Sequence, residues 1–281
     1  MNIKNLIIRS LAGVAYVALI ILGITISKWS FVLLIAVLAL LATREFLMIT
    51  KPNGSKLNLI IDVVASVFIA STFAYCQVEG CISFVVFGIV AYILLRSILQ
   101  LYNKKESPIK SLAYSLFSQL YITLPLMLMF IIYTGVSVSF LLLIFVMIWM
   151  NDTGAYLVGC TLGRNRLFER ISPKKSWEGF WGGMVFSALT AVAYYYFINE
   201  PLNDSIIFYI GLGVVVPVFA TFGDLVESMF KRELGVKDSG NLIPGHGGIL
   251  DRIDSLLFVI PAVLIYILIS WGTYRIISII A

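Results

Sequence analysis

Nine apolar runs constrain this chain more than any other feature of its sequence. They lie at about Leu11–Ile26, Phe31–Ile49, Leu59–Cys76, Ile82–Leu101, Leu112–Tyr133, Val136–Tyr156, Phe180–Ile198, Ile206–Phe222 and Leu256–Ile280. Each approaches the roughly 20 mainly apolar residues that a helix needs to cross a bilayer. Inside lipid the backbone must satisfy its own hydrogen bonds, so runs of this length are expected as helices. Composition agrees: 60% of the 281 residues are hydrophobic, 12% are charged, and the mean hydropathy is +0.99. A soluble domain carries about a quarter charged residues, so lipid must face much of this chain. The first run follows Lys4 and Arg9, as a secretory signal would, but Ser27-Lys28-Trp29 makes a poor small-residue cleavage site. A retained helix is expected there.

The expected fold is therefore an all-α integral membrane protein of about nine transmembrane helices. Its orientation follows from the basic residues, which collect on the cytoplasmic side of membrane proteins. With the N-terminus cytoplasmic and the C-terminus outside, 18 of the 20 Lys and Arg residues fall on the inner side. Only Lys28 and Arg275 do not, and the connections near Tyr133–Val136 and Asn199–Asp204 carry no basic residue. A wrong span count would scramble this alternation. The pI near 9.0 has the same origin. Anionic headgroups and phosphorylated substrates are expected partners, rather than nucleic acid, because the charges are spread over membrane loops. The three cysteines, Cys76, Cys81 and Cys160, lack metal-ligand spacing and imply no disulfide framework, although Cys76 and Cys81 flank one outer loop and are close enough in sequence to pair.

The two parts of the chain use polar residues differently. Residues 1–150 read as plain N-terminal transmembrane helices, with Asp62 as the acid deep inside a run; residues 151–281 read as a catalytic transmembrane region with cytoplasmic loops. Asp152, at the end of an apolar run, is either a functional carboxylate or a headgroup-level residue bonded to water or a neighbouring helix. Lys174 and Lys175, after Pro173 and before Trp177 and Gly179, either contact phosphate at a helix entry or flank a span on its positive side. Asp224, Glu227, Ser228 and Lys231 recur at i, i+3, i+4 and i+7, one helix face that suits a metal and phosphate site or a simple intrahelical ion pair. From Lys237 to Asp254 the chain places Pro244 and three glycines, Gly245, Gly247 and Gly248, around His246, a loop whose backbone can approach a ligand closely. Asp251 and Asp254 follow at i and i+3. Two acids at the mouth of an apolar helix repel each other, and hard oxygen ligands favour Mg²⁺ as their neutraliser. A solvated helix start is the plainer reading, but Arg252 and Lys237 lie alongside and the glycines need a reason. His246, the only histidine, cannot build a zinc site by itself; proton transfer, a phosphate contact and a loop-structuring hydrogen bond remain open for it.

Residues 228–254 resemble the signature of the phosphatidate cytidylyltransferase (CDP-diacylglycerol synthase) family. Ser228, Lys231, Arg232, Lys237, Asp238, Gly240, Pro244, His246, Gly247, Gly248, Asp251, Arg252 and Asp254 meet every fixed position of that pattern. Ser172–Gly179 and Asn151-Asp152-Thr153-Gly154-Ala155 resemble two further elements of the family. The resemblance implies the conversion of CTP and phosphatidate to CDP-diacylglycerol and pyrophosphate, a Mg²⁺ requirement with a potassium ion proposed beside it, a homodimer, and a location in the inner (cytoplasmic) membrane with the site facing the cytoplasm. It implies metal-holding roles for Asp224, Asp251 and Asp254. Lys231, Arg232 and Arg252 would join the catalytic charge balance, and Lys174, Lys175, Ser228, Lys237, His246, Gly247, Gly248 and Asp152 would contact substrate. A transporter for a phosphorylated solute would also place acids and Gly/Pro breaks in membrane helices, but usually in matched repeats in both halves. A CDP-alcohol phosphatidyltransferase is disfavoured because its characteristic motif is absent.

Overall fold

Among the described residues, the apolar runs become helix. In a computed structural model, residues 3–51, 54–79, 83–103, 107–198, 205–242 and 247–271 are described. The helices are α1 (Ile3–Thr25), α2 (Lys28–Thr50), α3 (Lys56–Glu79), α4 (Ser83–Tyr102), α5 (Pro108–Ser118), α6 (Leu124–Gly135), α7 (Val138–Leu162), α8 (Trp177–Phe197), α9 (Ile206–Glu233) and α10 (Leu250–Trp271). A π-helical turn, Gln119–Thr123, joins α5 to α6 without a break. Pro125, just downstream, has no N–H to give the preceding turn, and the Leu124 N–H bonds instead to the Gln119 carbonyl.

Among the described residues, seven helical stretches are long and apolar enough to cross a membrane: Lys28–Thr50, Lys56–Cys76, Ser83–Tyr102, Pro108–Gly135, Val138–Leu162, Ile206–Glu233 and Leu250–Ser270. The chain is thus a multi-pass membrane protein. The first expected span lies within α1, whose Ser10–Thr25 part is apolar. Helix α8 is helical as expected but is not among these seven. Large apolar side chains such as Leu33, Phe87, Leu94 and Val185 face outward, as a lipid-facing surface requires.

One element departs from an all-α reading. Strands β1 (Arg166–Phe168) and β2 (Ser172–Ser176) form a two-stranded antiparallel ribbon with a register shift. It precedes α8 because Ser176 is extended and its hydroxyl accepts the Gly179 N–H, which caps the helix and ends the strand. The same device separates α1 from α2: Ser27 and Ser30 exchange side-chain and backbone hydrogen bonds in a capping box.

By internal contacts the chain falls into two compact units, residues 1–130 with 234–252, and residues 131–233 with 253–281. The first has a core of Ile20, Ile24, Phe31, Ile35 and Phe130, with Phe31 stacked on Phe130 at 5.6 Å. It also buries a polar knot. Asp62, fully buried, accepts from Tyr92 Oη at 2.9 Å, Arg96 Nε at 3.1 Å and Ser115 Oγ at 2.6 Å, with Lys51 Nζ at 3.5 Å. Arg96, itself 0% exposed, donates onward to Gln100 and Ser111. Every formal charge here has a partner, as low-dielectric surroundings demand. Cys76 is buried, and Cys81 lies outside the described residues, so their pairing is not addressed.

The second unit packs Phe140, Ile144, Tyr209, Leu212 and Val263. Its closest contact is the α7–α8 seam. A Cβ on Gly183 would lie 2.5 Å from the Asn151 side-chain oxygen and 2.8 Å from its carbonyl; one on Gly154 would lie 2.9 Å from the Gly182 carbonyl and 2.7 Å from Phe186. Small residues let the two backbones touch, the usual way helices associate in lipid.

Candidate functional site

In the second unit the stripe on α9 forms as its spacing predicts. Ser228 Oγ donates to Asp224 at 3.1 Å, and Lys231 Nζ lies 2.7 Å from Glu227, whose side chain is almost wholly buried. The ribbon adds what the helix alone lacks. Lys175, on β2, reaches Asp224 at 2.7 Å. Arg232 Nε donates to the Ile171 carbonyl at 3.3 Å, tying the end of α9 to the ribbon's turn. Lys174, its neighbour on β2, is exposed. Asp254 on α10 is 8% exposed, accepts the Ser255 N–H, and has Asp224, Glu227 and Asp152 as the acids acting on it. Asp152 itself is exposed, beside buried Asn151, whose amide donates to it at 3.4 Å. Three acids from α7 and α9 thus act on Asp254 of α10, and lysines are bound to two of them. The intrahelical ion pair of the α9 stripe is formed, and it lies within a larger group of charges.

Glu178 organises the approach to α8. Its carboxylate accepts the Arg164 and Asn165 N–H groups at 3.1 and 3.2 Å and the Asn165 side-chain amide at 2.7 Å. Its own backbone N–H, followed by those of its two neighbours and the Asn165 amide, holds its carboxyl below the usual carboxylate range.

In the first unit the glycine-rich segment is built around two carboxylates. Asp251 accepts the Ser239 N–H at 3.0 Å and the Gly248 N–H at 2.8 Å. Gly248's amide, expected to face phosphate, is therefore bonded within the loop. Gly247 sits at φ +83°, a conformation glycine adopts without a steric cost. The second carboxylate is one the sequence reading passed over. Glu45, on α2 and 6% exposed, accepts the Ile249 N–H at 3.1 Å, the Leu250 N–H at 2.9 Å and the Ser239 hydroxyl at 3.1 Å. A Cβ on Gly240 would lie 2.6 Å from Glu45, and one on Gly248 would strike both Glu45 and Ser239. Lys237 and Arg252 are exposed, and the Arg252 carbonyl accepts the Tyr16 hydroxyl at 3.2 Å. His246 and Pro244 lie outside the described residues.

Among the described residues no group of three or more His, Cys, Asp or Glu side chains converges as a ready metal cage. The acids about Asp254 nonetheless suit Mg²⁺, which binds through one or two carboxylates and takes water and substrate phosphate for the rest. Asp251, expected as a further ligand, has its carboxylate on two amides of its own loop.

Membrane-length helices define a multi-pass membrane protein, and its second unit pairs lysines with acids that act on a buried Asp254. The chain belongs to the cytidylyltransferase family, whose sequence model matches residues 7–270. A 125-residue stretch, 44% of the chain, is 46% identical to a phosphatidate cytidylyltransferase of Staphylococcus aureus strain COL, covering 47% of that protein. Over the same length it is 43% identical to one from Staphylococcus haemolyticus strain JCSC1435 and 44% identical to one from Staphylococcus epidermidis strain ATCC 12228. The matched stretch spans about half the length of these curated relatives.

Proposed function

We propose that the chain is a CTP:phosphatidate cytidylyltransferase, joining CTP and phosphatidate to give CDP-diacylglycerol and pyrophosphate for phospholipid synthesis. The observation that carries this reading is the cluster of Asp224, Glu227, Asp254, Lys175 and Lys231 in a chain of this family. A phosphate oxygen of phosphatidate attacks the α-phosphorus of CTP; the bond from that phosphorus to the β-phosphate bridge oxygen breaks, and pyrophosphate leaves with the electron pair. The nucleophile is already anionic near neutral pH, so the obstacle is repulsion between two polyanions rather than a missing base. Mg²⁺ held by Asp224 and Asp254 would supply charge neutralisation and a template for the phosphates. Lys175 and Lys231 are held by Asp224 and Glu227, and a triphosphate offers each lysine a more highly charged partner. Lys174 and Arg232 complete the positive lining, with Ser228 as a hydrogen-bond donor; by the family resemblance Lys237, the Gly247 amide and Arg252 take part as well, Arg252 with the leaving pyrophosphate. Asp152 adds negative charge near Asp254 and favours a bound cation.

The rest of the reading rests on sequence. Nine spans with the N-terminus cytoplasmic, the C-terminus outside and the site facing the cytoplasm follow from the distribution of Lys and Arg. Catalytic chemistry concentrated in residues 151–281 follows from where the sequence places its polar residues, His246 among them; a potassium ion beside Mg²⁺ and a homodimer follow from the family resemblance.

The deciding experiment measures pyrophosphate release from CTP by detergent-purified protein, with and without phosphatidate, across added Mg²⁺. Release that needs both establishes the reading. A folded preparation that binds CTP but releases nothing would overturn it and favour transport. Asp224→Asn is expected to lower turnover at least 100-fold, on the order of 2.7 kcal/mol or more of lost electrostatic stabilisation. Its thermal unfolding should stay near that of the parent, because Asp224 is partly exposed.

A further inference from the structure

Glu45 sits in the part of the chain where only apolar helix was expected, yet its carboxylate is the acceptor for three groups of the glycine-rich segment. Two of them, the Ile249 and Leu250 N–H groups, belong to the entry of α10, where the first amides have no partner within the helix. The third, the Ser239 hydroxyl, lies at the other end of the segment. Ser239 in turn gives its backbone N–H to Asp251. Glu45, Ser239 and Asp251 therefore close the segment at its base, joining residue 239 to residues 248–251 from two sides. Gly240 and Gly248 have no side chain because Glu45 occupies the space a Cβ would take. A capping serine would satisfy one amide; a buried acid reaching over from α2 satisfies both and anchors them to a rigid transmembrane helix.

We propose that Glu45 is a positioning residue for the cytidylyltransferase reaction: it fixes the start of α10 and the base of the glycine-rich segment, and so the placement of Asp251 and Arg252. The proposal rests on the functional reading above, but its structural half can be tested without activity. Glutamate is required in particular. Its Oε1 receives Ile249, while Oε2 receives both Leu250 and Ser239. In Glu45→Gln one oxygen becomes an NH₂ group, which in either orientation of the amide faces a backbone N–H donor to donor, that of Ile249 or that of Leu250. In Glu45→Asp the carboxylate is withdrawn by one methylene and cannot span the same three donors. Glu45 is taken up by its own three donors, and Arg252, which it places, is assigned to the leaving pyrophosphate, so the effect belongs on turnover rather than on CTP affinity.

The test has two arms on detergent-purified full-length protein. Hydrogen exchange on peptides covering 247–252 is expected to accelerate at least tenfold in Glu45→Gln. Turnover per folded molecule is expected to fall at least tenfold, with the KM for CTP within twofold of the parent. Ser239→Ala should lower turnover less, and the double variant should be no worse than Glu45→Gln alone, because both act through one contact. Exchange that is unchanged in Glu45→Gln overturns the proposal, as does turnover within twofold of the parent. A KM for CTP raised tenfold at constant turnover also overturns it. If Glu45→Gln yields too little folded protein, Ser239→Ala carries both measurements, and unchanged exchange and turnover there overturn the proposal equally. If the parent releases no pyrophosphate while Glu45→Gln still accelerates exchange, the functional reading has failed and the anchoring of α10 stands.

Discussion

Asp62 and Glu45 show how differently two acids in apolar helices can behave. Asp62 neutralises a fully buried arginine, and removing it alone strands that charge. Asp62→Leu is expected to destabilise the protein by about 3–5 kcal/mol, whereas Asp62→Leu with Arg96→Leu should recover most of the loss, since a buried pair replaced by apolar side chains is often neutral. Thermal unfolding in one detergent checks both; an unharmed single variant would mean that Lys51 or lipid compensates. In the sequence Asp62 stands out because it interrupts an apolar run. Glu45 does not, because it follows Arg44 near a run's end, where a charged pair looks like ordinary headgroup anchoring. Its partners are 194 to 205 residues away, and no local spacing records a contact of that separation. Asp224, Lys231 and Asp254 were legible for the opposite reason: helical spacing and a long signature fix them within a few turns.

The ribbon between α7 and α8 was not legible as an element. Ser172-Pro173-Lys174-Lys175 reads as a basic flank to a span, and the strand exists only because residues 166–168 turn back to pair with it. The consequence is chemical, for the strand is what carries Lys175 to Asp224. Glu178 secures the other side by holding Arg164 and Asn165. Its carboxyl is depressed in the folded state, so the stabilisation is complete above the ordinary value of 4.5 and fades as pH falls through the lower folded value. Protection of the Arg164 and Asn165 amides, corrected for intrinsic exchange, should therefore step down below about pH 4.5, an ordinary glutamate value. Glu178→Gln should abolish the step, and a step that persists in that variant would assign it to another group.

Across the described residues, the positions of the helices follow the apolar runs, because lipid leaves the backbone no alternative. Run length alone does not single out α8, which is not among the seven stretches long and apolar enough to cross a membrane. Orientation is a separate question with a direct answer. In a background lacking Cys76, Cys81 and Cys160, a membrane-impermeant maleimide applied to intact cells should label Thr134→Cys. Arg170→Cys should label only after permeabilisation; the reverse pattern would invert the topology. The glycine seam between α7 and α8 bears on how variation across the chain should be read. Any side chain at Gly154 or Gly183 would force two backbones apart, whatever its polarity. A growth-based saturation scan would therefore show that seam as intolerant as the acids, and intolerance alone would not tell a chemist from a carpenter.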